Sequence, residues 1–156
     1  MRIPLEERKL QSRAEFLDDI AMSMGGYAAE KLVYGDVTTG PSNDLQVATG
    51  LARAMVTRWG MSDLIGPVAL ETDGGRGVFG EQFERDKPDH ESARVVGQEV
   101  KRILNEGLAR ATEVLTRHRS ILDVIAKKLM EVETLEQAEY EKIISAHGIA
   151  LKKVTV

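Results

Sequence analysis

Thr38-Thr39-Gly40-Pro41-Ser42-Asn43-Asp44-Leu45, running on through Ala48, Thr49, Ala52, Met55 and Val56 to Trp59-Gly60, decides how this chain is read. Its first half is dense in turn formers, and its second half carries apolar residues at helical spacing. The junction predicts a loop over 36–41 and a helix entered at Ser42 and stopped by Gly60. A serine N-cap is worth about 1 kcal/mol over alanine. Trp59, the single tryptophan, shares the register of Met55 and Val56 and reads as a core anchor before a contact surface. Asp44 falls in the first turn, where the helix dipole favours a carboxylate by about 0.3–1 kcal/mol.

Working outward, Ser12-Arg13-Ala14-Glu15 is a capping box, and Phe16, Leu17, Ile20, Ala21 and Met24 follow on one helical face. Gly25-Gly26 interrupts this pattern, as a break or, the favoured reading, as a tight helix crossing. Ala28, Ala29, Leu32 and Val33 resume it, and Gly35 ends it. Downstream, Val68-Ala69-Leu70 and Val78-Phe79 flank Thr72-Asp73-Gly74-Gly75-Arg76-Gly77, which predicts a two-stranded ribbon over about 67–81 with a flexible tip. C-terminal helices are expected over about 89–147. A long one, from Asp89 to Arg117, carries Ala93, Val96, Val100, Ile103, Leu104, Leu108, Ala111 and Leu115 on its stripe. A second spans Ile121 to Met130, and a third opens on a capping box at Thr134-Leu135-Glu136-Gln137. The expected fold is mostly α, about five to six helices with a small β-ribbon, in a single domain over 1–156.

Composition agrees with that class. The 156 residues are 42% hydrophobic but only 4% aromatic, so the core is expected to be built from Leu, Ile, Val, Ala and Met. A net charge of −4 argues against a general nucleic-acid binder. The absence of cysteine excludes disulfides, thiolate metal sites and a cysteine nucleophile. No apolar run approaches the roughly twenty residues of a membrane span, so the chain itself is expected to be soluble.

Several strings, in order, resemble the protease domain of the FtsH family, membrane-anchored AAA+ zinc metalloproteases. They are Pro4-Leu5-Glu6-Glu7-Arg8, Ser12-Arg13-Ala14-Glu15-Phe16-Leu17, Gly25-Gly26-Tyr27-Ala28-Ala29-Glu30, Thr39-Gly40-Pro41-Ser42-Asn43-Asp44-Leu45, and Ala52-Arg53-Ala54-Met55-Val56-Thr57-Arg58-Trp59-Gly60-Met61-Ser62. The match reaches nearly the whole chain, more specifically in its first half. Pro41 departs from the family's usual alanine. The resemblance implies that Asp44 is the third protein ligand of a catalytic zinc. It also implies that Glu30 is a carboxylate close to that site, able to orient a ligating imidazole. Asn43 would support the loop before Asp44.

The family's other two ligands are histidines of an HEXXH helix, and this sequence has no HEXXH. His90, His118 and His147 are scattered, form no H-x-x-x-H pair and read as surface residues. No Walker A motif is present, so the ATP site would lie in an AAA+ module outside this chain. The resemblance therefore implies the C-terminal part of an ATP-dependent zinc metalloendopeptidase, whose parent is a homo-hexamer degrading unfolded or membrane proteins. That parent would work at the cytoplasmic face of a bacterial inner membrane or its organellar equivalent. Without the zinc helix the chain alone is expected to be inactive and to expose an apolar patch near Gly25-Gly26 and the turn after Ser42. The alternative is a non-catalytic helical module that docks on a hexameric AAA+ protease.

Overall fold

The computed structural model describes residues 10–70 and 90–150. They fold into α1 (Arg13–Ser23), α2 (Gly25–Tyr34), α3 (Ser42–Thr57), α4 (His90–Arg117), α5 (Arg119–Val132) and α6 (Gln137–Ala146). The mostly helical expectation holds. No strand occurs among the described residues. Of the ribbon expected over 67–81, residues 71–81 lie outside the described part. Pro67 to Leu70 is irregular, and the Leu70 N–H donates to the Thr57 carbonyl at 2.8 Å. The chain divides into two compact units, Met1–Thr112 and Glu113–Val156, with the boundary inside α4.

In the first unit α1 packs on α3 and α2. The capping box at the head of α1 is formed: the Glu15 N–H donates to Ser12 Oγ at 3.3 Å, and the Ser12 N–H donates to Glu15 Oε2 at 2.6 Å. Phe16, Ile20 and Met24 are buried from α1 and its end; Ala28 from α2; Ala48, Ala52, Met55 and Val56 from α3. These positions recur every three or four residues, so each helix contributes one stripe to a common core. α4 adds Val96, Ile103 and Ala111 to the buried set, as its periodicity predicts, together with Glu99 and Gly107.

Gly25-Gly26 corrects an expectation. The helix breaks, one residue earlier, at Met24, and nothing lies within 4 Å of a Cβ placed on Gly25. At Gly26 the nearest atoms would be Asp44 Oδ2 at 3.8 Å and Pro41 carbons at 4.0 Å, which is ordinary contact rather than a tight crossing. The close approach is at Gly107, where a Cβ would stand 2.7 Å from Ile20 Cγ2. Gly35 ends α2 as expected, in the left-handed region at φ 71°, with its N–H on the Lys31 carbonyl.

Two helix starts also differ. The N-cap of α3 is Pro41, not Ser42; the Leu45 N–H already bonds the Pro41 carbonyl at 3.0 Å, and no side chain caps the helix. A proline has no N–H to leave unsatisfied, so a turn closed by Ser42 N–H on the Thr39 carbonyl at 3.1 Å leads straight into the helix. Trp59 corrects its reading as a core anchor. It lies past the end of α3, is 46% exposed, and stacks flat on Phe16 with ring centroids 4.7 Å apart. It covers the core from outside. Met22 and Val47 are exposed near the helix break and in α3.

In the second unit α5 packs on α6, and each buries one residue, Ile121 and Ile144. The capping box expected at Thr134 does not form. α5 ends at Glu133, which takes φ 58°, and α6 is capped by the backbone of Glu136 without a side-chain bond. The reversal at Glu133 places the helix start two residues past Thr134. His147 closes α6, with Nδ1 2.8 Å from the Ile143 carbonyl.

Candidate metal-ligand site

Asp44 is the third residue of α3 and is exposed, its Oδ2 lying over Gly26 of α2. Gly26 and Glu30 are one helical turn apart, so both stand on the same face of α2. From that face the Glu30 carboxylate reaches the loop that leads into α3. Its Oε2 accepts the Thr38 N–H at 2.7 Å, and its Oε1 accepts the Thr38 hydroxyl at 2.9 Å. The Thr38 Oγ1 in turn accepts the Gly40 N–H at 3.0 Å. A Cβ on Gly40 would stand 3.2 Å from both Glu30 Oε1 and Thr38 Oγ1, tighter than ordinary contact, so the clasp closes most easily around glycine. Pro41, next in line, is buried against Gly26.

The structure thus brings Asp44, Glu30 and the 38–41 loop onto one face of α2. Asn43, in the same first turn, is exposed. The histidines lie on other elements: His90 is the first residue of α4, His118 precedes α5, and His147 caps α6. Among the described residues no three His, Cys, Asp or Glu side chains converge as a metal site would require. A carboxylate suits zinc as a ligand, and a catalytic zinc takes three protein ligands with one open position. Asp44 is one exposed carboxylate of that type.

Sequence reading missed Thr38 as a partner of Glu30, although the Thr-x-Gly pattern held the signal. It also missed a buried polar node. The Ser62 hydroxyl donates to Glu99 Oε2 at 2.6 Å, while Arg102 donates through Nε to Oε1 at 2.9 Å and through Nη2 to Oε2 at 3.2 Å. The Arg102 and Ser62 bonds hold the Glu99 carboxyl below its usual range against the opposing effect of burial, and Glu99 raises Arg102 in return. Both carboxylate oxygens are engaged, so this node is no general base. It ties the segment after α3 to α4, and Arg13 of α1 holds the same segment by gripping Asp63 at 3.0 and 3.1 Å.

Residues 1–143 match the profile of Peptidase family M41. An ATP-dependent zinc metalloprotease FtsH of Bacillus subtilis (strain 168) is 38% identical over 148 residues, covering 94% of this chain and 23% of that protein. The FtsH of Nitrosococcus oceani is 40% identical over 141 residues, 90% of this chain and 22% of that one. FtsH 3 of Synechocystis is 38% identical over 154 residues, 95% and 25% respectively. The chain therefore spans about a quarter of the length of these relatives. With the profile matched over most of its length, and the motif residues assembled on one face of α2, the chain belongs to Peptidase family M41.

Proposed function

We propose that this chain is the C-terminal portion of the peptidase domain of an ATP-dependent, membrane-anchored zinc metalloendopeptidase, in which Asp44 is the third zinc ligand. The observation that supports it most is the exposed Asp44 carboxylate in the first turn of α3, beside Glu30, in a chain whose residues 1–143 match Peptidase family M41. Two further ligands would come from an HEXXH helix upstream, absent from this sequence. Zinc bound there would supply Lewis acidity and a water acidified toward neutrality. Asp44 would hold one corner of the coordination, and Glu30 and Asn43 would support it from behind. ATP would be bound by a separate AAA+ module, and the whole would act as a homo-hexamer on misfolded or membrane proteins at the cytoplasmic face of the membrane. None of the described helices is long and apolar enough to cross a membrane, so the anchor would lie elsewhere. The chain alone would cleave nothing.

Isothermal titration with zinc tests this, on the present chain and on one extended upstream through the histidine pair. Tight binding is expected only in the extended chain and is expected to vanish with Asp44→Ala. Equal, weak binding in both would overturn the assignment and favour a non-catalytic module docking on a hexameric protease.

A further inference from the structure

We propose that Thr38 is a positioning residue for the metal ligand, acting with Glu30 as a clasp that sets where Asp44 presents its carboxylate. The inference rests on the zinc reading of Asp44 and gives Glu30 a defined duty within it. Both Glu30 oxygens accept from Thr38, one from its N–H and one from its hydroxyl. What Glu30 is seen to orient is the loop. A carboxylate offers about four lone-pair sites, so two remain for a neighbouring imidazole, and the two duties are compatible.

The geometry leaves the loop little slack. Thr38 uses its hydroxyl in both directions, donating to Glu30 and accepting from Gly40. A Cβ at Gly40 would press on both members of the clasp at 3.2 Å, so any side chain there would push Glu30 or Thr38 back by a few tenths of an ångström. The Thr39 carbonyl takes the Ser42 N–H, and Pro41 rests against Gly26. The segment is therefore pinned to α2 at Glu30 and again, one turn earlier, at Gly26. Asp44 follows three residues after Pro41 on a continuous helix, so any shift of the loop is carried directly to its carboxylate. Metal affinity falls steeply when the groups that orient a ligand are lost, typically by tenfold to a hundredfold.

Two measurements test this. On the present chain, amide hydrogen exchange at Gly40 and Ser42 is expected to speed up at least fivefold in Thr38→Val and to return to the parent rate in Thr38→Ser, with α1 and α3 unchanged. No acceleration in Thr38→Val would overturn the clasp. On the extended chain, Thr38→Val is expected to weaken zinc binding by roughly tenfold to a hundredfold, with Thr38→Ser close to the parent. Unchanged affinity in Thr38→Val, where Asp44→Ala abolishes binding, would overturn the positioning role. Unchanged affinity in Asp44→Ala itself would refute the zinc reading, and the positioning role with it, leaving the exchange data to judge the clasp separately.

Discussion

Gly107 and Gly26 are alike on paper, each a glycine in an apolar helical pattern, yet their surroundings differ by more than an ångström of free space. A methyl at Gly107 meets Ile20 Cγ2, a branch fixed near the backbone of a side chain with no exposed surface. Gly107→Ala gains up to about 1 kcal/mol of helix propensity, but overpacking costs typically 1–3 kcal/mol. A net loss of about 1–2 kcal/mol is expected in urea titration. Much of it should return in the double variant Gly107→Ala/Ile20→Leu, because leucine carries no β-branch there. Glu99 is the second residue whose surroundings decide its role. Its carboxyl is lowered in the folded chain, chiefly by Arg102 and then by Ser62. Its stabilisation is therefore complete above the ordinary glutamate value of 4.5 and is lost as pH falls from there through the lower folded value. Glu99→Gln is expected to cost roughly 1–3 kcal/mol near neutral pH. The gap between variant and parent should stay flat above about pH 5 and narrow below it. A gap that widened on acidification would contradict the ion pair.

At the scale of elements, two capping boxes with the same sequence logic have opposite outcomes. Ser12 and Glu15 exchange both bonds, whereas Thr134 caps nothing. Ser12→Ala is accordingly expected to cost about 1 kcal/mol, and Thr134→Ala to stay within about 0.5 kcal/mol of the parent. Equal losses at both sites, read by chemical denaturation and by exchange of the first-turn amides of α1 and α6, would count against these helix starts. The difference arises outside the boxes. Among the described residues no turn precedes Ser12, while before α6 the chain must reverse at Glu133 to leave α5. That reversal carries the helix start past Thr134. At α3 the same competition moves the start from Ser42 to Pro41, because the 38–41 loop is already held by α2.

At the scale of the whole molecule, the two units differ in the core each encloses. The first buries Phe16, Ile20, Met24, Met55, Val56 and Ile103 among others, drawn from four helices. The second, among its described residues, buries Ile121 and Ile144, while Val124, Leu129, Met130 and Tyr140 stay exposed. Local opening is cheapest where few apolar contacts must break. Amides of α5 and α6 are therefore expected to exchange at least tenfold faster than those of α1 and α3 under native conditions, a comparison that peptide-resolved exchange makes directly. Uniform protection along the chain would show that the second unit draws stability from burial beyond its own residues.

The sequence by itself determined what depends on neighbours within a turn or two. The periodicity placed the helices, Ser12-Arg13-Ala14-Glu15 opened α1, Gly35 closed α2, and Asp44 stood in the first turn of α3. These outcomes are governed by backbone sterics, capping and the 3.6-residue repeat, all local. Only the tertiary structure decided which residues shared a face across elements. Glu99 and Gly107 entered the buried stripe of α4 although neither is a large apolar residue, because Ser62, 37 residues away, and Ile20 wait opposite them. The site divides along the same line. Asp44 was legible as a carboxylate at a helix start. The clasp between Glu30 and Thr38 was not, since a hydroxyl's partner is set by the path of the loop, and that path is set by the face of α2 on which it lies.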